Sequence, residues 1–207
     1  MDLLAITVTE ASLSFLKKGG PFMIPLIFCS IAAITAIGFK ALSLTRSRIV
    51  PTGLAQALES KEGSLSETVK NQAKAGTSSL ARLAAVALAQ QGQPKADITQ
   101  AIESASREEV VKMHAGMGVL DVSITVAPLL GLLGTASGLV TIFQGLGETT
   151  DHLDIARGIA EALNTTIFGL AIAVPCVIAH SFFTRRIEQF TARMETILAT
   201  FASTCSR

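Results

Sequence analysis

The sequence predicts an all-α membrane protein with three transmembrane helices, long cytoplasmic helical extensions and an oligomeric helical bundle. Hydrophobic residues make up 49% of the 207 residues, and the mean hydropathy of +0.51 is one that soluble domains of this size seldom reach. Three long stretches lack any charged residue, and lysine and arginine collect in particular segments between them. These observations favour a protein that lies partly inside a bilayer and partly on one side of it.

The charge-free stretches are residues 19–39, 122–144 and 162–184. Each holds about 20 residues or more, enough for a helix to cross a hydrocarbon core of about 30 Å. A spanning helix satisfies its own backbone, so Pro25, Pro128 and Pro175 are tolerable where neighbouring helices pack against them. The sequence therefore predicts one membrane span in each stretch.

Lysine and arginine are distributed unevenly around these stretches. The long segment between the first and second stretches is rich in both, and Arg185, Arg186, Arg193 and Arg207 follow the third. The short segment between the second and third stretches is acidic. Because cytoplasmic loops collect lysine and arginine, the long segment and the C-terminal tail are predicted to be cytoplasmic and the N-terminus periplasmic.

The predicted organisation has seven parts. They are an N-terminal periplasmic or interfacial segment (1–18), a first span (19–42), a cytoplasmic helical domain (43–118), a second span (119–144), a periplasmic loop (145–161), a third span (162–184) and a cytoplasmic C-terminal helix (185–207). A cleavable signal peptide is not favoured, because Lys17 and Lys18 precede the first apolar stretch and no A-x-A site follows it.

Helices are predicted on the cytoplasmic side from the spacing of apolar residues. One helix is predicted to begin near Pro94 and, with only Gly116 and Gly118 in its way, to continue unbroken into the second span. The third span is likewise predicted to continue into the tail. The tail carries an apolar stripe, predicted to pack against the loop helices, formed by Ile187, Phe190, Met194, Ile197, Leu198 and Phe201.

The composition argues against several classes of site. A net charge of +1 favours neither nucleic acid nor an acidic partner. Cys29, Cys176 and Cys205 form no disulfide framework and no CxxC spacing. The three histidines fall in different compartments of the predicted topology, and no nucleophile and base lie together. We therefore expect no metal, no cofactor and no enzymatic activity.

Glycines in the second stretch invite two interpretations. The segment GLLGTASG (131–138) resembles a phosphate loop but lacks the Lys-Ser/Thr ending and lies in mid-span. Gly134 and Gly138 form a GxxxG pair that Gly131 extends, and small residues at this spacing let helices approach closely in lipid. This surface is predicted to pack helices together and to hold a homo-oligomer.

Hydroxyl and ionisable side chains mark the same stretches. The polar side chains there are Ser123, Thr125, Thr135, Ser137, Thr141, Asn164, Thr165 and Thr166. A lone threonine usually bonds its own helix backbone, whereas a cluster is able to line a wet path, and both interpretations stay open. Asp121, Glu161 and His180 lie at span ends, where anchoring at the interface competes with a functional role.

The block APLLGLLGTASGLVTIFQ, followed by LDIARGIAEALNTTIFGLAIAVP, resembles the most typical stretches of the ExbB/TolQ/MotA proton-channel family. The likeness covers residues 121–186, and three spans make the chain more similar to ExbB or TolQ than to the four-span MotA. Departures from the family pattern are the polar Asn164 and the small Ala136 and Ser137. The resemblance implies a pentamer around two helices of an ExbD- or TolR-like single-span partner that carries a membrane aspartate.

The resemblance also implies roles for individual residues. Thr135 stands at the threonine of GLLGT, Thr166 at the second threonine of EALNTT and Glu161 at the glutamate of EAL. Thr135 and Thr166 are thereby expected to line a central pore facing the partner's aspartate. On an ideal helix Thr165 lies about 40° from Glu161 and Thr166 about 140°, so which of these two threonines faces the pore stays open.

The implied function is that of an inner-membrane proton-channel or motor subunit that couples the proton motive force to mechanical work on a periplasmic or outer-membrane system. A TonB-like or Tol-type periplasmic protein is a further expected partner. The competing hypothesis is a membrane scaffold that assembles with partners and conducts nothing.

Overall fold

The computed structural model describes residues 21–60, 67–145 and 152–206, so the predicted N-terminal segment 1–18 lies outside the described residues. Regular structure in the described residues is entirely helical, as the sequence predicts. The helices are α1 (Met23–Ser43), α2 (Arg46–Ile49), α3 (Thr52–Glu59), α4 (Glu67–Ala75), α5 (Ser79–Ala89), α6 (Lys95–His114), α7 (Met117–Gly145) and α8 (His152–Cys205).

The chain divides into two compact units. The first, which we call the membrane unit, comprises Met1–Ile37 and Met117–His180. The second, the basal unit, comprises Gly38–Gly116 and Ser181–Arg207.

Three helices in the described residues are long and apolar enough to cross a membrane, which confirms the predicted number of spans. They are Met23–Ser43, Met117–Gln144 and Ile155–Cys205, whose most apolar 18-residue segments have mean hydropathies of 1.9, 1.8 and 2.0. Less than a third of each apolar window is buried within the chain. Large apolar side chains such as Phe28, Leu132 and Ile178 are therefore exposed and available to lipid or to other chains.

The predicted continuous helix from Pro94 into the second span is wrong. Helix α6 ends at His114 and α7 begins at Met117, with Gly116 between them at a φ of +85°, a conformation that favours glycine. The buried ammonium group of Lys40 donates a hydrogen bond to the carbonyl of Met113 in the last turn of α6. A cation at this end of a helix complements its dipole, so Lys40 stabilises the point where α6 stops.

Helix α8 is continuous from His152 to Cys205, which confirms that the third span runs on into the C-terminal tail. The stripe from Ile187 to Phe201 is buried, and the carbonyl of Cys205 accepts a hydrogen bond from Gly92 N–H. The helix begins earlier than the sequence predicts: residues 152–161, which belong to the predicted loop 145–161, are helical.

An ion pair joins α5 to α6 in the basal unit. The Arg82 guanidinium donates to both carboxylate oxygens of Glu109, at 2.9 and 2.6 Å, and only 5% of the Glu109 side chain is exposed. Burial raises the pKa of Glu109, but hydrogen bonds from Arg82, Lys112 and Ser79 outweigh it, and the pKa lies below its ordinary value. The hydrogen bond to Glu109 raises the pKa of Arg82.

Folding lowers the pKa of Glu109, so the ionised carboxylate stabilises the folded protein at any pH above the ordinary carboxyl pKa. This stabilisation is lost as pH falls through the pKa that Glu109 has in the folded protein.

We expect Arg82→Gln to lower the free energy of unfolding at pH 7 by about 1–2 kcal/mol, a modest value because 43% of the Arg82 side chain is exposed. Thermal unfolding in detergent at pH 7 and at about pH 2, where carboxylates are largely protonated, measures this. The control is Arg107→Gln, an exposed arginine on α6. An equal destabilisation by Arg82→Gln at both pH values would contradict the assignment.

Candidate functional site

Thr135 on α7 and Thr166 on α8 meet inside the membrane unit. Their hydroxyl oxygens lie 3.0 Å apart, Thr135 is buried and Thr166 is half-buried. Thr166 lies 2.9 Å from the carbonyl of Gly131, to which its hydroxyl donates. Thr135 lies 2.8 Å from the carbonyl of Leu132 and 3.2 Å from that of Gly131. The two hydroxyls therefore share a small set of helix carbonyls.

Each hydroxyl carries one hydrogen and two acceptor lone pairs, so these contacts cannot all be donated at once. Thr135 has three acceptors in reach, namely two carbonyls and the hydroxyl of Thr166. Thr166 has two acceptors in reach, the carbonyl of Gly131 and the hydroxyl of Thr135. A rotation of either hydroxyl changes whether the pair offers a donor or a lone pair to a third group, with no change of charge.

Glycine allows the two helices to approach this closely. A Cβ atom added at Gly131 would lie 2.8 Å from the carbonyl oxygen of Thr165, and one at Gly138 would lie 2.7 Å from the Cβ of Ala162. One added at Gly169 on α8 would collide with the carbonyl of Ala127. Any side chain at these positions would push the helices apart and separate the threonine hydroxyls.

The glycine surface lies inside one chain. The sequence led us to expect Gly131, Gly134 and Gly138 between protomers, but the structure places all three against α8 of the same chain. The glycine face of α7 is thus covered by α8 of the same chain.

Thr165 and Thr166 occupy different surroundings. Thr165 is 1% exposed, donates to the carbonyl of Ala162 at 2.7 Å and packs against Gly134. Thr166, one position along, reaches Thr135 and Gly131. The structure thus brings Thr166 to Thr135 and encloses Thr165 between the helices.

Glu161 lies at a cavity of about 340 Å³ in the membrane unit. Ser137, Thr141 and Thr165 line this cavity together with Pro21 and Phe22, which lie just before α1. At about 30 Å³ per water molecule, the volume is enough for several waters, and a carboxylate is a group to which water bonds. Along α8, Glu161 and Thr166 are five residues apart, a rise of about 7.5 Å.

Asp121 and His180 form a contact that the sequence analysis missed. His180 Nε2 lies 2.9 Å from a carboxylate oxygen of Asp121, and their side chains are 32% and 58% exposed. Asp121 precedes Thr135 by 14 residues and His180 follows Thr166 by 14, so both pairs lie on one seam of α7 and α8, about 21 Å apart. If Thr135 and Thr166 are paired on two antiparallel helices, residues 14 positions from each of them also lie opposite one another. The sequence therefore contained enough information to predict the Asp121–His180 contact.

No group of three or more potential metal ligands occurs among the described residues. The polar groups along α7 and α8 described above are hydroxyls, the Glu161 carboxylate and the Asp121–His180 pair. These are groups that bind water, accept protons or release them.

Comparison with known proteins relates the chain to one family of membrane proteins. The family model described as the MotA/TolQ/ExbB proton channel family matches residues 65–196. A Synechocystis protein described as biopolymer transport protein ExbB-like 3 is 30% identical, and the match covers 86% of this chain and 87% of that protein. A second Synechocystis protein, described as ExbB-like 1, is also 30% identical, and the match covers 83% of this chain and 70% of that protein. A Methanothermobacter thermautotrophicus protein described as a biopolymer transport protein ExbB homolog is 38% identical over 50% of this chain, but the match covers only 37% of that protein.

The close packing of α7 on α8 is tested by two alanine substitutions on one helix. A Cβ added at Gly134 would lie 2.6 Å from the hydroxyl oxygen and 2.8 Å from the Cβ of Thr165, whereas one at Gly118 meets nothing within 4 Å. We expect Gly134→Ala to destabilise the protein by about 1–3 kcal/mol. The control Gly118→Ala is expected to be neutral or slightly stabilising, since alanine favours helix. Thermal unfolding in detergent measures both, and equal stability of the two variants would contradict the packing role.

Proposed function

The chain belongs to the MotA/TolQ/ExbB proton channel family, and from this membership we propose that it forms the proton path of an inner-membrane motor. In this proposal it assembles with copies of itself, as a pentamer, around an ExbD- or TolR-like single-span partner that carries a membrane aspartate. Protons that cross through that aspartate drive mechanical work on a periplasmic or outer-membrane system, through a TonB-like or Tol-type protein.

The observation that carries the proposal is the hydroxyl pair of Thr135 and Thr166 within two apolar helices. An ionised carboxylate at the centre of a bilayer costs about 2.5–3.5 kcal/mol on insertion scales, so a partner aspartate needs polar groups beside it. A nearby lysine or arginine would hold the acid ionised. Threonine hydroxyls donate to the charged carboxylate and accept from the protonated acid, so they support both states.

Glu161 and its cavity are proposed to serve the periplasmic side of the path. The cavity combines a carboxylate with the hydroxyls of Ser137, Thr141 and Thr165, and it is large enough for water. From there Thr166 is about one and a half helical turns away along α8. Water at Glu161 would hand protons to the partner aspartate beside the threonine pair.

A membrane scaffold that conducts nothing is the alternative. It would use the same three spans and the same glycine packing, but it gives the threonine hydroxyls no role beyond packing. Removing hydroxyls at constant shape therefore separates the two functions.

We expect Thr135→Val and Thr166→Val each to lower energy-dependent activity by about tenfold or more, because each removes a hydrogen bond to a charged group, typically worth about 1.5–3 kcal/mol. Activity is measured as proton flux in vesicles that contain the purified complex, with assembly followed by co-purification of the partner. The conservative Thr135→Ser and Thr166→Ser keep the hydroxyl and are expected to retain most activity. The control is Thr35→Val in the first span, where the exposed hydroxyl donates only to the carbonyl of Ile31. Normal flux in both valine variants, with assembly intact, would favour the scaffold.

The proposed orientation places the C-terminal tail and the segment before α7 in the cytoplasm. We expect a cysteine at Ser60, in a background without the three native cysteines, to resist a membrane-impermeant maleimide in spheroplasts and to react after lysis. A cysteine at the exposed Ala156 near the start of α8 is the matched control and is expected to react before lysis. Labelling at position 60 before lysis would reverse the orientation.

A further inference from the structure

A pocket of about 380 Å³ in the basal unit is lined by arginine. Arg46 at the start of α2 forms one side, the first turns of α3 form another, and Arg186 and Arg193 on α8 complete it. Among the described residues, no carboxylate lines this pocket.

The positive charge in the pocket is only partly balanced. Arg193 forms an ion pair with Glu59 at 2.8 Å. Neither Arg46 nor Arg186 lies within ion-pair distance of a carboxylate in the part of the chain that the structure describes. Two guanidinium groups thus face one pocket without a counter-charge, an arrangement that repels itself and favours an anion between them.

The pocket has features of a recognition site beyond its charge. The guanidinium of Arg186 stacks over the Phe190 ring, 5.3 Å from its centroid, and Phe190 is itself buried, which limits the orientations of Arg186. Neutral hydrogen-bonding side chains of Gln56 and Gln189 line the same pocket. Planar guanidinium groups match the oxygens of a phosphate in bidentate fashion, more closely than they match a spherical anion.

The arginines also lie at a defined depth. Arg46 comes three residues after the end of α1 at Ser43, and Arg186 comes two residues after the charge-free stretch that ends at residue 184. Both therefore lie where an apolar span gives way to polar sequence, the level at which lipid headgroups lie. Basic pockets at the cytoplasmic ends of membrane helices suit anionic lipid headgroups.

We propose that this pocket binds a phosphate group between Arg46 and Arg186, and that an anionic phospholipid of the cytoplasmic leaflet supplies it. Arg193, held by Glu59, and the two glutamines orient the headgroup from the rim. The site is separate from the threonine pair, so the proposal stands or falls independently of proton conduction.

The experiment measures lipid binding to the purified full-length chain by native mass spectrometry, with phosphatidylglycerol and phosphatidylcholine titrated separately. We expect the double variant Arg46→Gln/Arg186→Gln to bind phosphatidylglycerol about tenfold or more weakly than the wild type. The matched control is Arg48→Gln/Arg185→Gln, which removes two exposed arginines next to the same positions and causes the same change in net charge. That control is expected to change the affinity by about twofold or less.

Two single variants and a phosphate competition complete the experiment. Arg186→Lys retains the charge at position 186, and Arg46→Gln changes only an exposed side chain. Both variants therefore report on the pocket even if Arg186→Gln disturbs folding. Arg46→Gln alone is expected to weaken binding about fivefold. Inorganic phosphate, added against chloride at equal ionic strength, distinguishes the sources. Failure to displace phosphatidylglycerol supports a lipid, and displacement at millimolar concentration identifies the pocket as a site for a soluble phosphate compound.

The proposal is overturned if the Arg46/Arg186 variant binds phosphatidylglycerol as tightly as the wild type. It is equally overturned if the Arg48/Arg185 control loses as much affinity, since binding would then follow surface charge alone. Equal affinity of the wild type for phosphatidylglycerol and phosphatidylcholine would also exclude recognition of an anionic headgroup.

Discussion

The close approach of α7 and α8 is the constraint on which the membrane unit depends. Glycines at 131, 134 and 138 on α7 and at 169 on α8 leave no room for a Cβ atom, so the two backbones touch along several turns. In lipid, apolar side chains give no net drive for helices to associate, and close packing with interhelical hydrogen bonds supplies it. The Thr135–Thr166 and Thr166–Gly131 contacts form across this seam because nothing larger than glycine separates the helices.

The same seam arranges polar groups at three levels. The Glu161 cavity, the threonine pair and the Asp121–His180 pair follow one another along two antiparallel helices. Hydroxyls occupy the middle level, where a permanent charge is most costly, and ionisable groups occupy the ends, where water is within reach. This gradation suits a path that passes protons without storing a fixed charge in the bilayer. Large apolar side chains on all three spans remain exposed.

The basal unit is held together by different interactions. Helices α2 to α5 are short, and beside the buried apolar side chains polar contacts join distant segments: the Arg82–Glu109 pair, the Arg193–Glu59 pair and the bond from Lys40 to the Met113 carbonyl. Lys40 stands at the end of the first span, and its ammonium group occupies the negative end of α6 where Gly116 turns the chain. A lysine near the end of the first span thus contacts the C-terminal end of a helix 73 residues further along the chain. Arg46 and Arg186, which pair with no carboxylate in the described part of the chain, line a pocket instead.

The sequence by itself determined the helical class, the three spans, the continuity of α8 into the tail and the identity of the polar residues within the spans. These properties depend on composition and spacing along one segment, and hydropathy and helical periodicity report them directly. Tertiary structure decided which surfaces meet. It turned the glycine face toward α8 of the same chain, separated Thr165 from Thr166, brought His180 to Asp121 and ended α6 at His114, before Gly116. Those outcomes depend on the rotation and register of one helix against another, and segments far apart in the chain settle them only when they pack.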